Sequence, residues 1–170
     1  GGRLDAAVQI RDALLESRVR TIAFVNRRAI SAGALIAAAT HTIVMADGAT
    51  IGAATRVMMG QSGAQPAPVG EKTVSYVRKE FAATAEARNR PVGLAEAMVD
   101  ADVEVPGVVE KGKLLTLSTS EAMRLNFANH RADSLQQALQ QAGLGGAEVR
   151  PLAPNWAENV VRFLTHPMVS

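Results

Sequence analysis

The sequence predicts an α/β domain whose sheets are covered by helices. Three observations lead there. Segments of helical spacing alternate with short β-rich runs along most of the chain. At 170 residues the chain suits one domain with a sizeable core. Its 48% hydrophobic and 20% charged residues are those of a globular protein, not a disordered one.

The elements follow in order. Residues 4–16, LDAAVQIRDALLE, set Leu4, Ala7, Val8, Leu14 and Leu15 at helical spacing. TIAFV (21–25) reads as a short buried strand, and SAGALIAAA (31–39), small and apolar all round, as a buried helix opening at Ser31. TIVMA (42–46) is a second strand, closed by the turn pair Asp47-Gly48. Residues 55–70 lose periodicity and gather Gly, Pro and Ser, the pattern of a mobile loop. EKTVSYVRKEFAATAEA resumes helical spacing through Val74, Val77, Phe81 and Ala85. LAEAMV reads as a short helix, DVEV as a strand, Pro106-Gly107 as a turn and KLLTL as the returning strand. STSEAMRLN opens with a capping box from Ser118 to Glu121. SLQQALQQAG is an amphipathic helix stopped by Gly143, AEVRPL a last strand, and NWAENVVRFLTH a final amphipathic helix with Trp156, Val160, Phe163 and Leu164 on one side.

Composition excludes several functions. With no cysteine there are no disulfides, thiolate metal sites or cysteine nucleophiles. Net charge is only +2, and the pI of 9.4 reflects 14 scattered arginines against four lysines. Without aromatic interleaving these make no nucleic-acid surface. Aromatic residues are 4%, so the core must be aliphatic, with alanine and glycine allowing close approach. No apolar run is long enough to span a bilayer, and no signal peptide is visible. The chain starts at Gly1-Gly2 and ends on RFLTHPMVS while becoming more apolar, so both ends are expected to be cut from a longer protein.

Ser31 is the residue on which function turns. It stands between a strand-like run and a small-residue helix, with Gly33 two places on. A helix N-terminus offers unpaired N–H groups and a positive dipole end, which stabilise developing negative charge. The same position suits an ordinary N-cap, and locally the cap is the commoner outcome. A nucleophile also needs a base. His41 lies ten residues on, about 15 Å at ~1.5 Å per residue, and reads better as a helix C-terminal residue where positive charge is welcome. His130 and His166 have no acidic partner at a telling spacing. Lys72, at the start of the helix after the loop, is the other option. There the dipole disfavours its charge, and burial under a substrate would favour the neutral amine. Lys79, Lys111 and Lys113 read as solvated. Spacing alone leaves Lys72 open between a base and a surface lysine. Two motifs are dismissed: GAQPAPVGEKT is not a phosphate loop, because Glu71 separates Gly70 from Lys72, and GQSGA around Ser62 is not a nucleophile elbow.

The stretch RRAISAGALIAAATHTIVMADGATIGAA resembles the nucleophile segment of the ClpP-class membrane-bound serine proteases of the NfeD family, the stomatin operon partner proteases. The resemblance runs on through EKTVSYVRKEFAATAEARNR, AEAMVDADVEVPG, KGKLLTLSTSEAMRLNFA and WAENVVRFLTHPMVS, covering nearly the whole chain in order. It implies a ClpP/crotonase-like α/β fold of stacked ββα units. Residues 1–154 would form the protease domain without its N-terminal strands, and residues 155–170 an amphipathic helix leading toward absent transmembrane segments. It implies a Ser–Lys dyad of Ser31 and Lys72, 41 residues apart, with Gly2, in a Gly-Gly turn, and Ala32 as oxyanion donors. No metal or cofactor is implied. Expected partners are hydrophobic, membrane-proximal peptide segments such as those of stomatin-like proteins, and further copies of the chain in a homo-oligomer. The expected location is membrane-associated and extracytoplasmic. Three alternatives stay open: a signal-peptide-peptidase-like protease with the same dyad, a catalytically silent scaffold binding stomatin-like partners, and, most distant, a crotonase-type acyl-CoA enzyme.

Overall fold

The structure is a computed structural model and describes residues 2–54 and 70–152. The loop expected over 55–70, apart from Gly70, and the helix expected near the C-terminus lie outside the described residues.

Two three-stranded sheets share the strands almost alternately. After α1 (Gly2–Glu16) the chain forms β1 (Ile22–Val25), β2 (Arg28–Ile30) and α2 (Ala32–Ala39). It then forms β3 (Thr42–Met45), β4 (Thr50–Gly52) and α3 (Glu71–Ala87). The remainder is α4 (Val92–Ala97), β5 (Thr116–Ser118), α5 (Thr119–Arg124), β6 (His130–Arg131) and α6 (Leu135–Gln141). One sheet runs β1-β3-β6, all parallel; the other runs β2-β4-β5, with β2 parallel and β5 antiparallel to β4. Each early pass of the chain thus gives one strand to each sheet and then a helix.

Side-chain alternation explains the layers. In β3, Ile43 and Met45 enter the main core with Leu35, Ile51, Phe81 and Leu117. Val44 points to the opposite face, where Ala132, Ala138, Ile22 and Phe24 surround it. Parallel strands covered on both faces read as continuous apolar runs, and TIVM is one. The β1 strand is less buried than expected, with only Val25 fully enclosed.

The sequence expectations hold for the long helices and for the capping box, in which the Ser118 side chain accepts from the Glu121 N–H and the Glu121 carboxylate accepts from the Ser118 N–H. Those bonds from Ser118, backbone first, hold the Glu121 carboxyl below the usual carboxylate range. Two expected strands are absent. In DVEV, Val103 and Val105 do turn toward the core while Asp102 and Glu104 face solvent. Among the described residues no strand lies alongside: Val105 only bridges Val109 across the turn at Pro106-Gly107, where Gly107 has φ 75°. AEVRPL forms no strand among the described residues, with Val149 exposed and Glu148 holding Arg150 at 3.0 Å. KLLTL pairs only from Thr116.

Two arginines lock the helical layer. Arg88, at the C-cap of α3, donates to the carbonyls of Ala39 in α2 and Leu14 in α1, both at 2.7 Å. Arg90 is 5% exposed and donates to the carbonyls of Ala38, Thr40 and Phe127 and to the Asn129 side chain. Burial, with Arg88 alongside, lowers its pKa to about 10, so it remains a cation held by carbonyl dipoles. Positive charge here complements the C-terminal end of α2.

Candidate active site

Ser31 is the single residue between β2 and α2, and its backbone is unusual. Its φ is 60° and ψ −118°. Among the described residues, the other non-glycine residues at positive φ are Asn89 and Asn126, a type that tolerates it. For a serine such a conformation costs roughly 1–3 kcal/mol and persists only where the surroundings enforce it. The backbone groups are committed: the Ser31 N–H donates to the Gly52 carbonyl at 3.0 Å, and its carbonyl accepts from Ala34 at 3.0 Å and Leu35 at 3.2 Å. The side chain makes no cap hydrogen bond, so the ordinary-cap reading is corrected.

The first helical amides are left over. Among the described residues the Ala32 and Gly33 N–H groups have no backbone acceptor, as the first turn of a helix requires. Both residues are half-buried. A Cβ on Gly33 would meet only Ala29 Cβ at 3.9 Å, an ordinary contact, so packing within the protein does not demand glycine there. Gly33 instead borders a cleft of about 490 Å³, with Phe24, Asn26, Arg28 and Ile36 among its walls.

Lys72 is the second residue of α3. It is exposed, on the side of the helix opposite the buried Val77 and Phe81, and shares no hydrogen bond with Ser31 among the described residues. Gly2 is the first residue of α1 rather than part of an open turn, and Gly1 lies outside the described residues. The three helices nevertheless run the same way. Arg11 of α1 pairs with Glu80 of α3, and further on Leu14 and Arg88 meet. Because α1 and α2 pack along each other and their C-terminal carbonyls share the Arg88 guanidinium, α2 runs with them. Gly2, Ala32 and Lys72 therefore stand at the N-terminal ends of three parallel helices.

The other candidates separate. His41 is exposed, and its Nδ1 accepts from the Thr21 N–H at 3.1 Å. Lost hydration, then the Arg88 and Arg20 charges, hold its pKa below 6.5. The expectation that positive charge is welcome there is therefore corrected, because Arg88 and Arg90 already bind the carbonyls at that helix end. His130 is half-buried in β6, while His166 and Ser62 lie outside the described residues. The ammonium groups of Lys79, Lys111 and Lys113 stand exposed beside Glu96, Asp102 and Glu110. Among the described residues no group of three or more His, Asp or Glu is placed to hold a metal ion. Sequence reasoning missed Arg88 and Arg90, whose signal is an arginine pair directly after a helix end.

The family model for the NfeD1b N-terminal domain matches residues 1–152. The chain belongs to this family. It is 34% identical over 170 residues to the membrane protein NfeD1b of Bacillus subtilis, covering 99% of this chain and 38% of that protein. Against the membrane-bound protease PH1510 of Pyrococcus horikoshii the identity is 24% over 189 residues, covering 100% of this chain and 40% of the relative. The chain thus spans about two fifths of the length of these relatives. Among solved structures it superimposes, with TM-score 0.73 and 22% identity, on a lysine-to-alanine mutant of the 1510-N membrane-bound stomatin-specific protease in complex with a substrate peptide. That match covers 95% of this chain and 77% of the other. The chain therefore has the fold of that structure, the ClpP-like α/β arrangement of stacked ββα units. Both curated relatives are membrane proteins by name. Among the described residues no helix is long and apolar enough to cross a membrane.

Proposed function

We propose that the chain is the protease domain of a membrane-associated serine endopeptidase, working on the extracytoplasmic side as a homo-oligomer. Its substrates are hydrophobic, membrane-proximal peptide segments such as those of stomatin-like proteins. Ser31 is the nucleophile, Lys72 the base, and the N–H groups of Gly2 and Ala32 the oxyanion donors. The observation that carries the reading is Ser31 itself: a serine held at φ 60° on the strand-to-helix junction, its side chain not spent on capping.

The chemistry follows from those roles. Neutral Lys72 Nζ takes the hydroxyl proton as Ser31 Oγ bonds to the peptide carbonyl carbon. The resulting oxyanion is stabilised by backbone N–H groups, each typically worth roughly 2.7–4 kcal/mol. Lys72 then gives its proton to the leaving amine as the C–N bond breaks, and water hydrolyses the acyl-enzyme. The scheme uses no metal or cofactor. The substrate-peptide complex of the 1510-N lysine-to-alanine mutant supports a lysine in this role. A second reading, a silent scaffold that binds stomatin-like partners, draws on the solvent-facing position of Lys72.

A panel of hydrophobic peptides separates the two. Cleavage by the wild type that disappears in folded Ser31→Ala and Lys72→Ala proteins is the expected result. Cleavage that survives Lys72→Ala assigns the base elsewhere, and partner binding without any Ser31-dependent cleavage supports the scaffold.

A further inference from the structure

We infer that Gly52 is a positioning residue for Ser31, an inference that rests on the protease reading above. Ile30, Gly52 and Thr116 lie in register across β2, β4 and β5, so Gly52 is the central residue directly beside the strand that delivers Ser31. Its carbonyl accepts the Ser31 N–H at 3.0 Å. Its φ is 144°, and a Cβ there would lie 2.5 Å from the Leu115 carbonyl oxygen and 2.8 Å from Thr116 Cα. Those are backbone atoms of the neighbouring strand, and a side chain fits only if β5 moves away. A glycine inside a strand commonly marks such close backbone approach.

The carbonyl is also held from its far side. The next residue, Ala53, donates to Leu115 at 2.9 Å, and Ala54 donates to Met98 at 2.8 Å. Gly52 cannot shift without breaking these bonds, so the Ser31 N–H meets a fixed acceptor. With the N–H fixed on one side and the carbonyl bound to Ala34 and Leu35 on the other, the positive φ of Ser31 is the conformation that satisfies both ends. That conformation keeps the hydroxyl from folding back as a cap. Gly52 touches no substrate; it acts through the backbone of Ser31.

The test uses the full chain and a fluorophosphonate probe, which forms an Oγ–P bond with loss of fluoride. In Gly52→Ala, labelling of Ser31 should slow by about 10²-fold, the effect of misplacing a reacting group by about 1 Å. Peptide affinity, compared in a Ser31→Ala background with and without Gly52→Ala, should not change. Labelling at the wild-type rate, or an equal loss of peptide affinity, overturns the inference. Amide exchange in the wild type does not depend on whether the variant folds. The Ser31 amide should exchange far more slowly than the Ala32 and Gly33 amides, which have no backbone acceptor among the described residues, and equal rates overturn the inference. Failure of the wild type to label at Ser31 at all counts against the protease reading instead.

Discussion

At the scale of the residue, the cap and the nucleophile require the same place in the chain: a serine after a strand and before a helix. What separates them is one dihedral. At φ 60° and ψ −118° the Ser31 side chain forms no cap bond. No pattern of residue types encodes that angle, which is why the sequence alone left both readings open. The strain is measurable. Ser31→Gly should be more stable than Ser31→Ala by about 1 kcal/mol in urea unfolding, because glycine adopts positive φ without a Cβ clash. Equal stabilities, or a more stable alanine variant, mean that the position is not strained.

At the scale of the element, the helices were legible because their apolar spacing outruns any local ambiguity. The stripe of Val77, Phe81 and Ala85 fixed the buried face of α3, and Ser118 with Glu121 fixed the start of α5. The four-residue strands β1 and β3 were legible as apolar runs, but the shortest strands were not. β2 and β4 have three residues each and β6 two, too few to show a period. DVEV showed the converse: alternation reported which side chains turn inward, but a strand also needs a neighbour, and none lies there among the described residues. Arg90 went unread because the arginine pair that follows α3 marks a helix end in the sequence but does not say which arginine is buried. Its replacement is the sharpest test of the helical layer. Arg90→Met orphans the carbonyls of Ala38, Thr40 and Phe127 and should destabilise the fold by about 3 kcal/mol or more. A loss below about 1 kcal/mol in chemical denaturation would show that water replaces the guanidinium freely.

At the scale of the whole molecule, the two sheets and the three helices carry the candidate residues on separate elements. β4 supports Ser31 through Gly52, and α1, α2 and α3 present Gly2, Ala32 and Lys72 from their N-termini. Chain order pointed to these segments as candidates. It could not foretell how they are placed, because the exposure of Lys72 and the direction of each helix depend on packing between residues far apart in sequence. The central claim is that Ser31 becomes acylated with Lys72 as its base. It is tested most directly by intact-mass and peptide-mass analysis of the protein after brief incubation with an activated hydrophobic peptide ester. The account predicts one acyl group on Ser31, absent in Ser31→Ala and formed about 10²–10⁴-fold more slowly in Lys72→Ala. Acylation at another residue, or an undiminished rate in Lys72→Ala, would contradict it.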